Sequence, residues 1–279
     1  MARKQTHIIR ITKTIGMVAL CLLFSAKSFA AKPVLGHITL LDPQYGFRDI
    51  VYVNEDGYAM VEDDIILMRV SKKPSKNSTI PKAMILLKLG GHRWPRGIVP
   101  YTIAPSLPYK NQLAILNAME VWQKVTKIKF VAMPNADQTE FSDFLLFMPT
   151  DNLKCSSSVG RQGGPQIILL GPNCATMNVA HELGHALGLW HEQSRNDRDQ
   201  YIRILWENID ENYRYNFNQH LNDGEDFGNY DYQSIMHYPA YNFSINGQPT
   251  IVPIREGAMI GQREHLSPKD IAAVNAMYP

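Results

Sequence analysis

The sequence predicts an α/β (α+β) fold for residues 83–279, with helices and strands in mixed layers. Residues 109–126 place apolar side chains at helical spacing, and residues 178–190 form a second helical stretch. Short apolar runs that are typical of strands lie between these two segments. A helix followed by strands and a second helix favours mixed layers around one core.

The other predicted elements complete this pattern. One strand is predicted before the first helix, over residues 97–103, and three more are predicted at residues 128–131, 144–148 and 166–170. A last helix begins after Ser267, which is a favourable N-cap residue, and Pro268 suits the first turn of that helix.

The composition narrows the class of protein. The chain has 279 residues, of which 45% are hydrophobic and 19% are charged, and this excludes a disordered, collagen-like or coiled-coil protein. The length allows one large domain or two modest ones. The formal net charge of +2 is close to neutral and argues against nucleic-acid binding.

Residues 1–30 have the three parts of a secretory signal peptide. Basic residues extend to Lys13, an apolar run covers residues 15–24, and small residues precede a cleavage point after Ala30. The alternative is a membrane anchor, which needs about 20 apolar residues, roughly twice the length of this run. We therefore predict a secreted protein, extracellular or periplasmic, with no stable membrane anchor.

Residues 31–82 differ in character from the rest of the chain. They combine a short alternating stretch at residues 49–53 with acidic turns, and they end in a lysine-rich segment with two prolines at residues 71–82. Such a segment has too few apolar residues to fold alone. We expect it to lie on the domain that begins at Ala83.

The predicted export determines the redox state expected for the cysteines. Cys21 leaves with the predicted signal peptide, so Cys155 and Cys174 remain as an even pair in an oxidising compartment. We expect them to form a disulfide, worth about 3 kcal/mol through loop closure. Two buried free thiols are the alternative.

One segment carries the chemistry, a string of the form His-Glu-x-x-His-x-x-Gly-x-x-His. His181 and His185 lie four residues apart, so they share a helix face and can bind one zinc ion. Glu182 lies beside them, within reach of a water on the metal. Gly188 lets the chain leave the helix and bring in His191. Three protein ligands leave one position open, as catalytic sites do, and the alternatives are incidental histidines or a structural zinc.

This string resembles the extended zinc-binding motif of the metzincin metalloproteases. The residues that follow it, 192–199, resemble the astacin family within that group. Two further segments are similar to astacins: residues 234–238, which resemble the Met-turn with its tyrosine, and residues 158–166 ahead of the zinc helix. The resemblance covers roughly residues 83–279.

The resemblance implies a metzincin zincin fold. The N-terminal half of that fold contains a twisted, mostly parallel sheet with an antiparallel edge strand, together with the active-site helix. The C-terminal half is irregular and ends in a helix. Residues 165–170 are expected to be the edge strand that holds the substrate backbone by strand addition.

The resemblance also implies roles for individual residues. One Zn²⁺ per chain is bound by three ligands, His181, His185 and His191. Glu182 is the general base and acid, Tyr238 is a movable zinc ligand that turns to the developing oxyanion, and Met236 forms a hydrophobic floor under the metal. The other histidines are interpreted as packing or surface residues: His37, His92, His220, His237 and His265.

The number of cysteines departs from the family pattern. Astacins usually have two disulfides, but Lys127 stands where the family commonly has a cysteine, and the chain ends without its partner. Both halves of one bridge are therefore missing together. The pair Cys155 and Cys174 is the bridge that remains.

Residues 31–82 resemble a propeptide. Astacin propeptides block the zinc with an aspartate in a Phe-x-Gly-Asp motif, and in the nearest string here, residues 61–64, the Phe and the Gly are replaced. Asp64 is the first candidate for the inhibitory zinc ligand and Asp63 is the second, with a solvated acidic turn as the alternative. The segment has no cysteine, which excludes a thiolate switch.

The sequence thus predicts a secreted zinc metalloendopeptidase, made as a zymogen, monomeric, and acting on protein or peptide substrates. Activation is expected through cleavage near Ala83 by an activating protease, after which the new ammonium group pairs with Glu192. The alternative is a zinc-retaining pseudoprotease that acts as a binding module. The presence of both Glu182 and Tyr238 favours the enzyme.

Overall fold

The computed structural model describes residues 35–42, 46–70, 93–133, 141–221 and 224–279. The predicted signal peptide and the predicted cleavage point near Ala83 lie outside these ranges. Within the ranges, no helix combines the length and the apolar character that crossing a membrane requires.

A five-stranded sheet forms the base of the predicted catalytic domain. Its strands in chain order are β5 (Ile98–Ile103), β6 (Lys129–Ala132), β7 (Phe144–Pro149), β8 (Cys155–Ser156) and β9 (Pro165–Leu170). The spatial order is β6-β5-β7-β9-β8, in which only β8 runs antiparallel to its neighbour. This confirms the predicted mostly parallel sheet with an antiparallel edge strand.

The edge strand is not the one expected. Strand β9 lies between β7 and β8, so the expectation that residues 165–170 form the edge is wrong. The edge is β8, where Cys155 pairs with Leu170 and Ser156 pairs with Leu169. The continuous apolar run in β9 is typical of a strand covered on both faces. A two-residue strand such as β8 leaves no periodicity to detect in the sequence.

Three α-helices are described: α1 (Tyr109–Val125), α2 (Thr176–Leu187) and α3 (Pro268–Met277). Helix α2 begins two residues before the predicted start and ends at Gly188. Helix α3 begins as predicted, since Ser267 Oγ accepts hydrogen bonds from the backbone N–H groups of Lys269 and Asp270.

Two tryptophans fix helix α2 against the core that it shares with α1 and the sheet. Trp122 Nε1 donates to the backbone oxygen of Ala180 at 2.9 Å, and Trp94 Nε1 donates to that of Ala186 at 2.8 Å. Both indole rings are fully buried. The helix that carries the His-Glu motif is therefore held by apolar packing and by two directed bonds.

The C-terminal half is irregular, as expected. Its strands β10 (Ile202–Ile204) and β11 (Ile251–Pro253) pair antiparallel, and much of the rest consists of turns and short 3-10 helices. A second apolar cluster organises this half, and its buried members include Phe217, Tyr232 and Tyr238.

A separate sheet precedes the catalytic part, and we call it the N-terminal sheet. It is an antiparallel meander of β1 (Leu35–Asp42), β2 (Gly46–Glu55), β3 (Tyr58–Val61) and β4 (Ile65–Arg69). The sequence pattern indicated only the alternating stretch within β2.

The N-terminal sheet contacts the chain directly after β8. Ile66 N–H donates to the Ser157 backbone oxygen at 2.9 Å, and Ser157 N–H donates to the Asp64 backbone oxygen at 2.9 Å. Met60 and Ile66 also share a buried apolar cluster with Leu169 of β9. Backbone bonding and apolar packing thus join the N-terminal sheet to the catalytic sheet.

The predicted disulfide between Cys155 and Cys174 is present, with a sequence separation of 19 between the two positions. It joins the edge strand β8 to the segment that leads into helix α2. The bridge therefore connects β8, which lies next to the contact with the N-terminal sheet, to the start of the helix that carries His181 and His185.

Candidate active site

Helix α2 positions the first two histidines of the motif. His181 and His185 are buried, with ring centroids 4.7 Å apart. Gly188 has a left-handed φ of 114° and ends the helix at a position where a side chain is disfavoured. The chain then brings in His191, whose ring centroid lies 4.6 Å from that of His185 and 5.4 Å from that of His181. The structure thus brings the three predicted ligands together.

Each of the three rings is oriented by a hydrogen bond at its Nδ1 atom. The acceptors are Ile235 O at 2.7 Å for the first histidine, Leu189 O at 2.8 Å for the second and Glu62 Oε2 at 2.7 Å for the third. With Nδ1 acting as the donor, each Nε2 is left as the metal-binding nitrogen and faces a common centre.

Asp64 completes the cluster. Its Oδ2 lies 3.2 Å from His181 Nε2, and its Oδ1 lies 3.1 Å from His191 Nε2 and 3.6 Å from His185 Nε2. Four ligand atoms therefore lie within 4.8 Å of one another. Among the described residues, Asp64 Oδ1 and the Nε2 atoms of His185 and His191 make no hydrogen bond although they are buried.

This cluster fits a zinc ion. Buried polar atoms without partners are costly, so their convergence on one point indicates a ligand that they share. Three imidazole nitrogens and one carboxylate oxygen form a donor set that Zn²⁺ binds in tetrahedral sites. Asp63, the second candidate, is directed away from the cluster and forms an ion pair with Lys154.

The surroundings of His181 and His191 shift the pKa values of these two rings in opposite directions. Burial, together with the charge of Arg263, lowers the pKa of His181 to about 3, which keeps that ring neutral. Burial also lowers the pKa of His191, but the carboxylates of Asp64 and Glu62 outweigh burial and raise it to about 9. A metal ion therefore competes with a proton at His191, because only the neutral ring binds a metal.

Glu182 lies on helix α2 beside the cluster and is 2% exposed. Its Oε2 has no hydrogen-bond partner among the described residues. Burial raises the pKa of Glu182 well above its usual value, and the nearby charge of Asp64 raises it further. A carboxylate in such surroundings has a high proton affinity, as a general base requires.

Tyr238 and Met236 border the cluster on its other sides. The Tyr238 ring centroid is 4.6 Å from that of His191, and the buried hydroxyl has no partner among the described residues. The Tyr238 backbone N–H donates to Gln193 Oε1 at 3.0 Å, which fixes the base of this side chain. A side chain at Gly184 would come within 2.7 Å of Met236 Sδ, so the glycine lets the methionine pack under α2.

Two residues of this site were not anticipated from the sequence. Glu62 is buried and accepts hydrogen bonds from His191 and from His220. Burial by itself would raise the pKa of Glu62, but His220 and the two hydrogen bonds lower it to about 2. The interpretation of His220 as a packing or surface histidine is therefore corrected. The only sequence signal for Glu62 was the run of three acidic residues at positions 62–64, and such a run does not show the direction of each side chain.

Glu192 borders a different space, a cavity of about 450 Å³ behind the cluster. Its carboxylate accepts the Asp231 backbone N–H at 2.6 Å, and it lies 3.7 Å from Arg195 Nε. Burial raises the pKa of Glu192 to about 8. The cavity also contacts Trp190 and His220.

Residues 88–279 match the model of the peptidase family described as Astacin. The chain belongs to the astacin family. It is a zinc-dependent metalloendopeptidase by that membership, as the three sequence motifs predicted, and its mixed fold agrees with that of a solved hatching enzyme zinc-protease.

Several known metalloproteinases are similar to most of this chain. Zinc metalloproteinase nas-4 of Caenorhabditis elegans is 37% identical over 226 residues, which are 78% of this chain and 68% of that protein. Astacin-like metalloendopeptidase of Mus musculus is 36% identical over 71% of this chain but only 46% of its own length. High choriolytic enzyme 1, a hatching enzyme zinc-protease from Oryzias latipes, superimposes with a TM-score of 0.60 at 36% identity. The superposition covers 67% of this chain and 92% of that structure.

Proposed function

We propose that this astacin is secreted as a zymogen, hydrolyses internal peptide bonds, and is inhibited by residues 31–82 until they are removed. The observation that carries the proposal is the position of Asp64, which fills the fourth corner of a cluster of three buried imidazoles. A site with three fixed nitrogens and one removable carboxylate is suited to a catalytic zinc.

In this proposal, His181, His185 and His191 hold the zinc, and Asp64 holds it only in the unprocessed chain. When bound, zinc supplies an acidic water and polarises the peptide carbonyl. The backbone oxygens of Ile235 and Leu189 accept hydrogen bonds from the Nδ1 atoms of the first two histidines. These bonds orient the two rings whether or not residues 31–82 are present.

Glu182 takes the proton from the attacking water and later passes it to the leaving amine. Support comes from its burial, its unpaired oxygen and its raised proton affinity next to the cluster. The Tyr238 hydroxyl donates a hydrogen bond to the oxyanion that develops on the substrate carbonyl. One such donor is typically worth about 2.7–4 kcal/mol in the transition state.

The substrate backbone adds to the edge at β8 and Ser157, in place of the N-terminal sheet. Ser157 already offers its N–H and its C=O to Asp64 and Ile66, as an edge strand does to an added strand. The N-terminal sheet therefore blocks both the metal position and the backbone site. Cleavage near Ala83 removes it and creates an ammonium group that pairs with Glu192 in the adjoining cavity.

The test uses the processed chain and a casein assay. Cleavage is expected to stop with a chelator and to return with Zn²⁺. Glu182→Ala should lower turnover by about 100- to 10,000-fold while the zinc content stays at one per chain. Glu207→Ala, which changes an exposed glutamate, should have no effect. Near-normal casein cleavage by the Glu182→Ala protein would defeat the assignment of the base, and an inert wild-type protein with bound zinc would favour the pseudoprotease.

A further inference from the structure

A second carboxylate of the N-terminal sheet enters the cluster beside Asp64. Glu62 is 4% exposed, and both of its oxygens have partners. Oε2 accepts a hydrogen bond from His191 Nδ1 at 2.7 Å, and Oε1 accepts one from His220 Nε2. Each oxygen of this buried carboxylate therefore accepts one imidazole hydrogen bond, and such charge-assisted bonds are among the stronger ones.

His191 separates the two carboxylates. Its Nε2 is 3.1 Å from Asp64 Oδ1, and its Nδ1 donates to Glu62 on the opposite edge of the ring. The other two cluster histidines have Nδ1 partners from the backbone of the catalytic part, Ile235 and Leu189. Only the third histidine takes its Nδ1 partner from the N-terminal sheet, so the Glu62 contact is distinct from the metal position.

The turn between β3 and β4 is shaped to deliver both carboxylates. Glu62 and Asp63 have φ values of 46° and 67°, in the left-handed region that glycine favours. Residues other than glycine remain in such conformations only where surrounding contacts compensate. Here Asp63 pairs with Lys154, and Glu62 and Asp64 reach the histidines.

His220 is already positioned by the catalytic part. Its backbone N–H donates to the Ser194 backbone oxygen at 2.8 Å. Its ring lies against Trp190, with centroids 4.0 Å apart and planes 31° from parallel. A donor held in place on the catalytic side loses little conformational freedom when a carboxylate binds.

We propose that His220 and the Nδ1 edge of His191 form a carboxylate-binding site that is separate from the metal position and holds Glu62 in the unprocessed chain. Glu62 is then a second inhibitory contact beside Asp64, and it retains the N-terminal sheet when the metal is absent. This proposal rests on the proposed inhibitory role of residues 31–82.

The test measures amide hydrogen exchange in the full chain, stripped of metal with a chelator and carrying Glu182→Ala to prevent self-cleavage. The Ile66 amide is the reporter because it bonds to Ser157 across the contact. Glu62→Gln and His220→Gln should each speed its exchange by about 10- to 100-fold, the effect expected for losing a hydrogen bond to a charged group. His265→Gln, which changes an exposed histidine, is the matched control and should leave the rate unchanged.

The double variant decides whether the two residues act as a pair. If they do, Glu62→Gln with His220→Gln exchanges little faster than either single variant. The proposal is overturned if Glu62→Gln leaves the exchange rate of the Glu182→Ala chain unchanged. It is also overturned if the effects of Glu62→Gln and His220→Gln multiply in the double variant. Should His220→Gln also speed exchange in α2, the Glu62→Gln result alone decides, because that substitution lies in the N-terminal sheet and changes no residue of the catalytic part. No peptide hydrolysis is measured, so a failure of the catalytic proposal would show separately in the casein assay.

Discussion

The two sheets of this protein are stabilised in different ways. The catalytic sheet shares with α1 and α2 one large buried core, which includes Leu145 and Trp122. The N-terminal sheet has a small cluster of its own around Tyr52 and Ala59, and another part of its apolar surface is covered by residues of β7 and β9, including Leu169. The comparison indicates that the catalytic part keeps its own fold, whereas the N-terminal sheet depends on its contact. This arrangement suits the proposed removal of residues 31–82.

The largest effect is expected from a substitution that breaks the contact between the N-terminal sheet and the metal position. Asp64→Ala should make the unprocessed chain cleave a peptide substrate at least about tenfold faster than the unprocessed wild-type chain, because the carboxylate no longer fills the open corner. Adding Glu62→Gln should increase the rate further. The measurement is an initial rate on a quenched fluorescent peptide, with processing checked on a gel.

Asp63→Asn is the control, since Asp63 pairs with Lys154 and not with the histidines, and asparagine tolerates the left-handed backbone at this position. An Asp64→Ala chain that stays as inactive as the wild type would remove Asp64 as the inhibitory ligand. Some other part of residues 31–82 would then have to block the site.

The next effect concerns the core of the catalytic part. Leu145 is fully buried, so Leu145→Ala should lower the free energy of unfolding of the processed chain by about 2–5 kcal/mol. Leu113 is 46% exposed on helix α1, and Leu113→Ala should change it by less than about 0.5 kcal/mol. Urea unfolding followed by tryptophan fluorescence measures both. Equal effects would mean that the catalytic core is not organised as described.

The smallest effect lies at the start of helix α3. Ser267→Ala removes the side-chain acceptor for the N–H groups of Lys269 and Asp270, and should lower the free energy of unfolding by about 0.5–2 kcal/mol. Catalysis should be unchanged, because the cap lies outside the cluster. A loss of activity without a loss of stability in this variant would show that α3 has a role in the site.

The sequence predicted those parts of the site that depend on local spacing. His181 and His185 share a helix face because they are four residues apart, and Gly188 ends that helix as expected. Ser267 likewise indicated the start of α3. In each case the physical cause lies within one or two turns of chain, where the sequence pattern is direct evidence.

The rest depends on contacts between distant residues. Glu62 and His220 are 158 residues apart, and no local pattern pairs them. The two-residue strand β8 exists because it pairs with β9, so the sequence assigned the edge to the wrong strand. The N-terminal sheet was also missed, since part of its apolar surface is buried only against the catalytic part.

In the proposed mechanism, three imidazoles bind one zinc ion, and the fourth ligand of that ion is Asp64 before processing and solvent afterwards. X-ray absorption at the zinc edge, on full-length and processed protein, tests it most directly. We expect three nitrogen ligands in both samples, and a carboxylate oxygen that is replaced by a water oxygen only on processing. A processed chain without zinc, or one with a permanent fourth protein ligand other than the movable Tyr238, would show that this assignment is wrong.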